Sequence, residues 1–271
     1  MSDTKILLIG AGKMGLALLS GWVENFIKPE NVFVIEPHPS QNIESFVSAG
    51  LCLNPQASEL EKFHPDCVVI AVKPQMAEKV LTDIKAELAP ETLILSIMAG
   101  VTLAQIESLT GNSKIIRTMP NTPAAIGAGV SALVASDSVD AAQKELATHI
   151  MQAVGQAVWL SSEAAMDAVT AISGSGPAYV FYMVEALAQA GIKLGLPAEL
   201  AELLAHQTVA GAGGMLAEMP ETAEQLRVNV TSPNGTTQAA LEVLMGDEGL
   251  VKLMEKVTAA AAKRSKQLSE G

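Results

Sequence analysis

The feature that most restricts the fold is an alternation of short β-branched runs with stretches of helical composition, from residue 5 to about residue 136. Strands that alternate with helices in this way form a parallel sheet with helices on both faces. We therefore predict a doubly wound α/β domain. Its strands are predicted at residues 6–9, 32–35, 68–72, 93–97 and 114–118.

The remainder of the chain has a different composition. After about residue 160 the strand signals stop, and Ala, Leu, Met, Glu and Gln dominate in stretches long enough for helices. Pro177 suits a first helical turn, and Gly195 with Pro197 marks the end of one helix and the start of the next. We predict two domains, an α/β domain over residues 1–160 and an all-helical domain over residues 161–271.

Two features of the helical part concern assembly. No Phe, Trp or Tyr occurs between Met183 and Gly271, so this region must build its core from small aliphatic side chains. Gly211, Gly213 and Gly214 interrupt a helical pattern at a cost of roughly 1 kcal/mol each relative to Ala. Either another backbone packs closely there, which predicts an intertwined helical dimer, or these glycines end a helix.

Charge and apolar runs exclude several classes of partner. The formal net charge is −12, and acidic residues exceed basic ones on both sides of residue 160, so we expect no nucleic-acid partner. Apolar runs such as residues 67–72 are far shorter than the ~18 residues that cross a bilayer, and no secretory signal opens the chain. We expect a soluble, cytoplasmic protein. Cys52 and Cys67 lack metal-site spacing, so we interpret both as structural and expect no metal.

A glycine pattern follows the first predicted strand. Its residues are Gly10-Ala11-Gly12-Lys13-Met14-Gly15. Between a strand and a helix, the first glycine permits a tight turn, the second lets a pyrophosphate approach the backbone, and the third lets helix and strand touch. Glu36 ends the second strand, 21 residues beyond Gly15, where an acid accepts hydrogen bonds from an adenosine ribose. The pattern therefore predicts a dinucleotide site, against the alternative of an ordinary glycine turn.

Further polar or glycine-bearing segments lie at the carboxyl ends of later predicted strands. They are Lys73-Pro74-Gln75, Ser96 with Ala99-Gly100, and the segment from Arg117 through Asn121-Thr122. In an open parallel sheet, this edge is where ligands bind. Each segment alone is equally compatible with a plain turn, but their shared location predicts a nicotinamide pocket.

The chemistry must suit a chain whose histidines have no evident catalytic setting. Alcohol dehydrogenases usually need His, Lys or Tyr to move a proton, whereas a protonated imine is already electrophilic. Residues 230–237 form a tight-turn sequence, Pro233-Asn234-Gly235, before a helix whose first N–H groups could bind a carboxylate. Thr237 would offer a hydroxyl to the same ligand. Alternatively, Thr236 or Thr237 simply caps the helix.

Together these segments resemble the pyrroline-5-carboxylate reductases over nearly the whole chain. The matching residues are 10–15, 71–75, 99–102, 117–124, 173–179 and 230–237, and the last segment resembles the family signature. The resemblance implies reduction of 1-pyrroline-5-carboxylate to L-proline, the last step of proline biosynthesis, with hydride from NADPH or NADH. It also implies a Rossmann-type domain followed by a helical dimerisation domain, and a homodimer, and it leaves open a decamer of dimers.

The resemblance also implies roles for individual residues. The backbone at Gly235, Thr236 and Thr237 would bind the substrate carboxylate, the Thr237 hydroxyl would hydrogen-bond the ring nitrogen, and Ser175 would belong to the same substrate site. From the glycine pattern and the resemblance together, the predicted cofactor residues are Gly10, Ala11, Gly12, Lys13, Met14, Gly15, Glu36, His38, Ser40, Val72, Lys73, Pro74, Ala99, Gly100 and Asn121.

The chain departs from the family pattern at two places. Many members carry residues after the second strand that hold the 2′-phosphate of NADPH, whereas this chain has Glu36-Pro37-His38-Pro39-Ser40. An acid there repels a 2′-phosphate unless its side chain turns away, which favours NADH, although His38 and Ser40 could still serve NADPH. Asn234 stands where glycine is usual, and because Asn tolerates turn geometry we expect little effect.

Two other functions are compatible with the glycine pattern. A β-hydroxyacid dehydrogenase shares it together with a helical second domain, but that family depends on a lysine in its interdomain helix. The comparable stretch here, residues 173–190, contains no lysine. The second alternative is a dinucleotide-sensing binding protein without turnover, which would bind cofactor and leave cyclic imines unchanged.

Overall fold

The computed structural model describes residues 3–85 and 88–270. Within them, eight strands form one sheet in the order β3-β2-β1-β4-β5-β6-β7-β8, and neighbouring strands are parallel except β6 and β7. The strands are β1 (Ile6–Ile9), β2 (Val32–Ile35), β3 (Cys52–Leu53), β4 (Cys67–Ile70), β5 (Leu93–Ser96), β6 (Ile115–Met119), β7 (Gly129–Ala135) and β8 (Gly155–Trp159).

Helices connect the strands of the sheet and make up the remainder of the described chain. They are α1 (Lys13–Asn25), α2 (Glu44–Ser48), α3 (Ala57–Phe63), α4 (Ala77–Ile84), α5 (Leu103–Thr110), α6 (Ala141–Gln152), α7 (Met166–Val169), α8 (Gly176–Lys193), α9 (Ala198–Glu218), α10 (Ala223–Asn229), α11 (Thr236–Leu244) and α12 (Leu250–Glu270). A π-helical turn, Thr170–Gly174, joins α7 to α8. Among these helices, not one combines the length and the apolar character that crossing a bilayer requires.

The predicted fold class is confirmed. All five predicted strands are present, and the bounds of β4, β5 and β6 differ from the prediction by one or two residues. The sequence did not indicate β3, which has only two residues, or β7 and β8 at the far edge of the sheet. The antiparallel pairing of β6 with β7 was not predicted either, because strand composition carries no information on direction.

The sheet is buried on both faces, as a doubly wound arrangement requires. On one face, Leu18 and Trp22 of α1 and Ile150 of α6 pack against alternate strand residues. Trp22 is fully buried and donates its Nε1–H to the Ile150 carbonyl at 2.9 Å, so its polar atom is satisfied inside the core. On the other face, Leu81 of α4 and Ile106 of α5 cover the intervening strand residues.

The chain separates into two compact units. The first contains the residues up to Ser175 together with those from Ala261 onward, and the second comprises Gly176–Ala260. By compactness, residues 161–175 and the last turns of α12 therefore belong with the sheet, although they lie beyond the predicted domain boundary at residue 160. The second unit is all helical, as its composition indicated.

The helical unit has little core of its own. Its buried apolar residues, in the part of the chain that the structure describes, are Ala188, Ala201, Ala205 and Leu226. Large apolar side chains are exposed instead, among them Leu194 at 87% and Val251 at 72%. Apolar exposure on this scale is typical of a surface that another chain covers.

The three glycines of α9 do not end a helix. The helix runs from Ala198 to Glu218 through Gly211, Gly213 and Gly214, so the alternative that these residues terminate it is wrong. A Cβ built on any of the three would meet no other atom of the described residues within 4 Å. Packing within the chain therefore gives no reason for glycine at these positions.

Candidate functional site

The glycine turn joins β1 to α1 as the sequence predicted. Gly10 has a φ of +94°, and a Cβ there would lie 2.7 Å from the Ala71 carbonyl oxygen, so only glycine fits. A Cβ on Gly15 would overlap with the Gly10 carbonyl oxygen, and this confirms that Gly15 allows helix and strand to touch. Both glycines are explained by packing within the protein.

Gly12 is different from its two neighbours in the motif. It is the N-cap of α1 with a φ of −68°, which any residue adopts, and a Cβ there would meet nothing within 4 Å in the described residues. As glycine it offers no side-chain acceptor to the first N–H groups of α1, which have no partner within the helix. The start of α1 is therefore an exposed set of donors at the positive end of a helix, the chemistry that phosphate groups bind.

The Glu36 carboxylate is turned toward the glycine turn. Its Oε2 accepts the Ala11 N–H at 2.8 Å, and its Oε1 accepts the His38 N–H at 2.9 Å. The Glu36 backbone is held in turn by Asn54, which exchanges two hydrogen bonds of 2.9 Å with it. Glu36 thus has a structural role that the sequence did not indicate. His38 and Ser40 are exposed beyond it.

The segments after β4 and β5 lie on neighbouring strands, because those strands pair directly. Val72 and Pro74 are half-buried and Lys73 is exposed, at the point where the chain leaves β4. After β5, Gly100 adopts a φ of +76° and is buried. A Cβ on Gly100 would lie 3.0 Å from the Leu268 Cβ, so this glycine is required by packing against the end of α12.

A buried ion pair fixes the start of the helix that follows this loop. Arg117 of β6 is 3% exposed, and its Nη1 donates to Glu163 Oε1 at 2.8 Å. The same oxygen accepts the N–H of Leu103, the first residue of α5, at 2.9 Å. The Nε and Nη2 atoms of Arg117 have no hydrogen-bond partner in the described residues. Arg117 opens one of the segments predicted to lie at the ligand edge of the sheet, whereas nothing in the sequence indicated Glu163, which lies 46 residues away.

Asn121, a predicted cofactor residue, already has one role in the fold. Its side-chain oxygen accepts the Val130 N–H at 2.9 Å, which holds the start of β7 near the end of β6. The residue is buried, so its placement depends on this hydrogen bond.

Ser175 closes the π-helical turn, where its N–H donates to the Thr170 carbonyl at 2.8 Å. π-helical turns are rare and occur frequently at functional sites.

In the helical unit, α11 begins directly after the predicted turn. Asn234 has a φ of +57°, and this confirms that it tolerates the turn geometry. The N-cap of α11 is Gly235, and Thr236 and Thr237 are its first two helical residues. The alternative that a threonine caps this helix is therefore wrong. The first N–H groups of α11 face no side-chain cap from Gly235 and can bind a carboxylate.

Thr237 lies at the edge of an apolar groove. It is half-buried and lines a groove of about 340 Å³ in the helical unit, together with Met215, Leu226 and Leu241. A Cβ on Gly235 would lie 3.0 Å from the Ser232 carbonyl oxygen, whereas the nearer Ser232 hydroxyl can rotate away. The structure thus brings Gly235, Thr236 and Thr237 together at one helix start. The predicted cofactor residues belong to the sheet unit.

Known proteins match the chain along its whole length. The family described as pyrroline-5-carboxylate reductase dimerisation matches residues 163–268, and the family described as NADP oxidoreductase, coenzyme F420-dependent, matches residues 5–100. The pyrroline-5-carboxylate reductase of Pseudomonas aeruginosa is 40% identical over 272 aligned residues, which cover 100% of this chain and 98% of the relative.

Solved structures agree with the sequence relatives. A pyrroline-5-carboxylate reductase from Coxiella burnetii superimposes with a TM-score of 0.89 at 38% identity, and each chain is covered to 99%. The Plasmodium falciparum pyrroline carboxylate reductase, solved with NADP bound, gives a TM-score of 0.83 at 33% identity, again with 99% of each chain covered. This chain belongs to the pyrroline-5-carboxylate reductase family.

Proposed function

We propose that the chain reduces 1-pyrroline-5-carboxylate to L-proline, with NADPH or NADH as the source of hydride. In this proposal residues 1–160 bind the dinucleotide, and residues 161–271 bind the substrate and form the dimer. Two observations argue against a β-hydroxyacid dehydrogenase. The chain belongs to another family, and residues 173–190 lack the lysine that such an enzyme needs.

The main support for the proposed cofactor site is the open space at Gly12. The helix start is unshielded there, and nothing in the described residues fills the volume that a side chain would take. A pyrophosphate can therefore approach the N–H groups of Lys13, Met14 and Gly15. Glu36 holds the turn in this form through Ala11, so the phosphate donors are preorganised before any ligand arrives.

The substrate site is proposed at the start of α11. A carboxylate bound by the N–H groups of Gly235, Thr236 and Thr237 is stabilised by the positive end of the helix. The Thr237 hydroxyl then hydrogen-bonds the ring nitrogen, and we place Ser175 in the same site. The protein's remaining task is to hold the imine carbon against the nicotinamide and to exclude water, since the bound dinucleotide supplies the hydride.

A coupled assay tests the proposed reaction. Purified protein mixed with 1-pyrroline-5-carboxylate should consume NADPH or NADH and release an equal amount of proline. The control omits the imine, and parallel kinetics with the two cofactors measure the preference. If the absorbance of both reduced cofactors stays constant, the proposal fails. Binding of cofactor without oxidation by any cyclic imine would instead identify a dinucleotide-sensing protein.

We further propose that the chain works as a homodimer in the cytoplasm, with a decamer of dimers as the larger assembly, and without nucleic-acid or membrane partners. The dimer is supported by the exposed apolar side chains of the helical unit and by the open surface at Gly211, Gly213 and Gly214. Two free cysteines suit a reducing compartment. Sedimentation should give a dimer or a multiple of it, and a folded, active monomer would reject the assembly.

A further inference from the structure

The last turn of α12 lies against the loop that joins β5 to α5. A Cβ on Gly100 would lie 3.0 Å from the Leu268 Cβ and 3.1 Å from the Leu268 carbonyl oxygen, so Leu268 occupies the space over this glycine. One residue further, the Ser269 carbonyl accepts the Gln105 Nε2–H at 3.3 Å. The loop and the last turn of α12 are therefore in direct contact.

The end of α12 is itself fixed to the same compact unit. Ser265 is buried, and its hydroxyl donates to the Asp167 carboxylate at 2.6 Å. Leu268 is half-exposed and lines a groove of about 600 Å³ with Pro74, Gln75 and Gly100. The segments that follow β4 and β5 thus share one groove with the last turn of α12.

The loop is also fixed where it enters α5. Gln105 forms a capping box with Thr102, in which its Oε1 accepts the Thr102 N–H at 2.8 Å. Glu163 accepts the N–H of Leu103 from the other side. Just before these points lies Gly100, and glycine is the residue whose backbone is intrinsically least restricted. Leu268 packs at that point.

We propose that the last turn of α12 is a positioning element for the cofactor loop, with Leu268 and the Ser269 carbonyl holding Ala99 and Gly100 in their binding conformation. This inference rests on the proposed function, which places those two residues at the dinucleotide. A loop that is held before binding loses less conformational freedom when the ligand arrives, so its affinity is higher. The last turn of α12 therefore sets the affinity for cofactor without touching it.

The substitution Gln105→Glu tests this contact. Glutamate keeps the oxygen that caps Thr102 but cannot donate to the Ser269 carbonyl, so the capping box survives and the contact to α12 is lost. We expect the dissociation constant for NADPH to rise about threefold to tenfold, the effect of one hydrogen bond. In the protein without cofactor, amide hydrogen exchange in residues 97–102 should become faster.

Gln267→Glu is the matched control. It adds the same charge on α12, two residues before Ser269, and keeps the oxygen that accepts from Arg264 at 3.3 Å. It should leave NADPH affinity and loop exchange unchanged, and the effect of Gln105→Glu should persist at high salt, where a purely electrostatic effect is screened. As a second variant, Leu268→Ser should act in the same direction as Gln105→Glu, and Leu268→Met should restore the affinity.

The outcomes separate this inference from the proposed function. If the wild type binds neither NADPH nor NADH, the proposed function is wrong; if it binds NADH alone, the same comparisons are made with NADH. If the wild type binds NADPH, and Gln105→Glu and Leu268→Ser bind it equally well with unchanged exchange in residues 97–102, the positioning role is wrong. An effect of Gln105→Glu that disappears at high salt, or that Gln267→Glu reproduces, also overturns it.

Discussion

The same substitution at two glycines of one motif should have opposite consequences. Gly12→Ala adds a methyl group where the protein has open space, whereas Gly15→Ala adds one against the Gly10 carbonyl oxygen. We expect Gly12→Ala to lose cofactor affinity and keep its stability. We expect Gly15→Ala to lose stability because the obstructing atom belongs to the backbone and cannot rotate away.

The structure sets the size of each effect. At Gly12 the only cost to the fold is the poorer N-cap, less than about 1 kcal/mol, or roughly 1–3 °C in melting temperature for a chain of this length. At Gly15 overpacking costs up to about 3 kcal/mol and better helix propensity returns about 1 kcal/mol, which leaves about 2 kcal/mol. That loss corresponds to roughly 4–8 °C.

Thermal unfolding and NADPH titration measure the two effects separately. For Gly12→Ala the dissociation constant should rise at least about tenfold, equivalent to about 1.4 kcal/mol, with a melting temperature close to the wild type. Wild-type affinity in Gly12→Ala would show that no pyrophosphate lies against this residue. A wild-type melting temperature in Gly15→Ala would refute the packing argument.

Three further predictions concern single side chains. Thr237→Val should lower kcat about tenfold or more. Its melting temperature should be unchanged, because Gly235 and not Thr237 is the N-cap of α11. Thr237→Ser should retain most activity, and a valine variant with the turnover of the wild type would show that Thr237 lacks the proposed role. Glu36→Gln should raise the ratio of kcat/KM with NADPH to kcat/KM with NADH about fivefold. Two unit charges about 6 Å apart in water repel by about 0.7 kcal/mol, and the 2′-phosphate carries more than one unit charge. An unchanged ratio would show that the adenosine ribose does not lie beside Glu36. Burial raises the pKa of the Cys67 thiol, so the unfolded chain ionises first and this thiol should lower stability by about 1.4 kcal/mol per pH unit above about pH 9. In denaturant unfolding, Cys67→Ala should lose stability less steeply with pH by that amount, and an equal slope in the two proteins would refute the argument.

The sequence was sufficient for features that are encoded locally. The glycine turn, the start of α11 after Asn234 and the five inner strands each depend on a few consecutive residues, and each is present. The Gly15 prediction succeeded for the same reason, since its contact is with Gly10, five residues away. Local geometry of this kind follows from φ restrictions and from the period of the apolar pattern.

Contacts between distant residues could not be predicted from one sequence. The Arg117–Glu163 pair joins residues 46 apart, and Ser265 reaches Asp167 across 98 residues. These two contacts help to hold the loop after β5 and the end of α12 in place, yet no rule of sequence spacing relates Arg117 to Glu163 or Ser265 to Asp167. Glu36 shows the same limit at shorter range, because the predicted ribose acceptor also fixes the glycine turn through Ala11.

One criterion connects the cofactor proposal with the dimer proposal. A glycine is explained by the chain itself when its φ is positive, as at Gly127 and Gly195, or when a Cβ would collide, as at Gly10 and Gly15. Neither reason applies to Gly12, to Gly176 at the start of α8, or to Gly211, Gly213 and Gly214 of α9, where a Cβ would meet nothing within 4 Å of the described residues. Gly12 is an N-cap, where glycine is favoured over Ala, but glycine inside a helix costs stability relative to Ala, so Gly211, Gly213 and Gly214 indicate a partner outside the chain. We propose a pyrophosphate at Gly12 and a second copy of the chain along α9, so alanine at either place should weaken one of these interactions and leave the other intact.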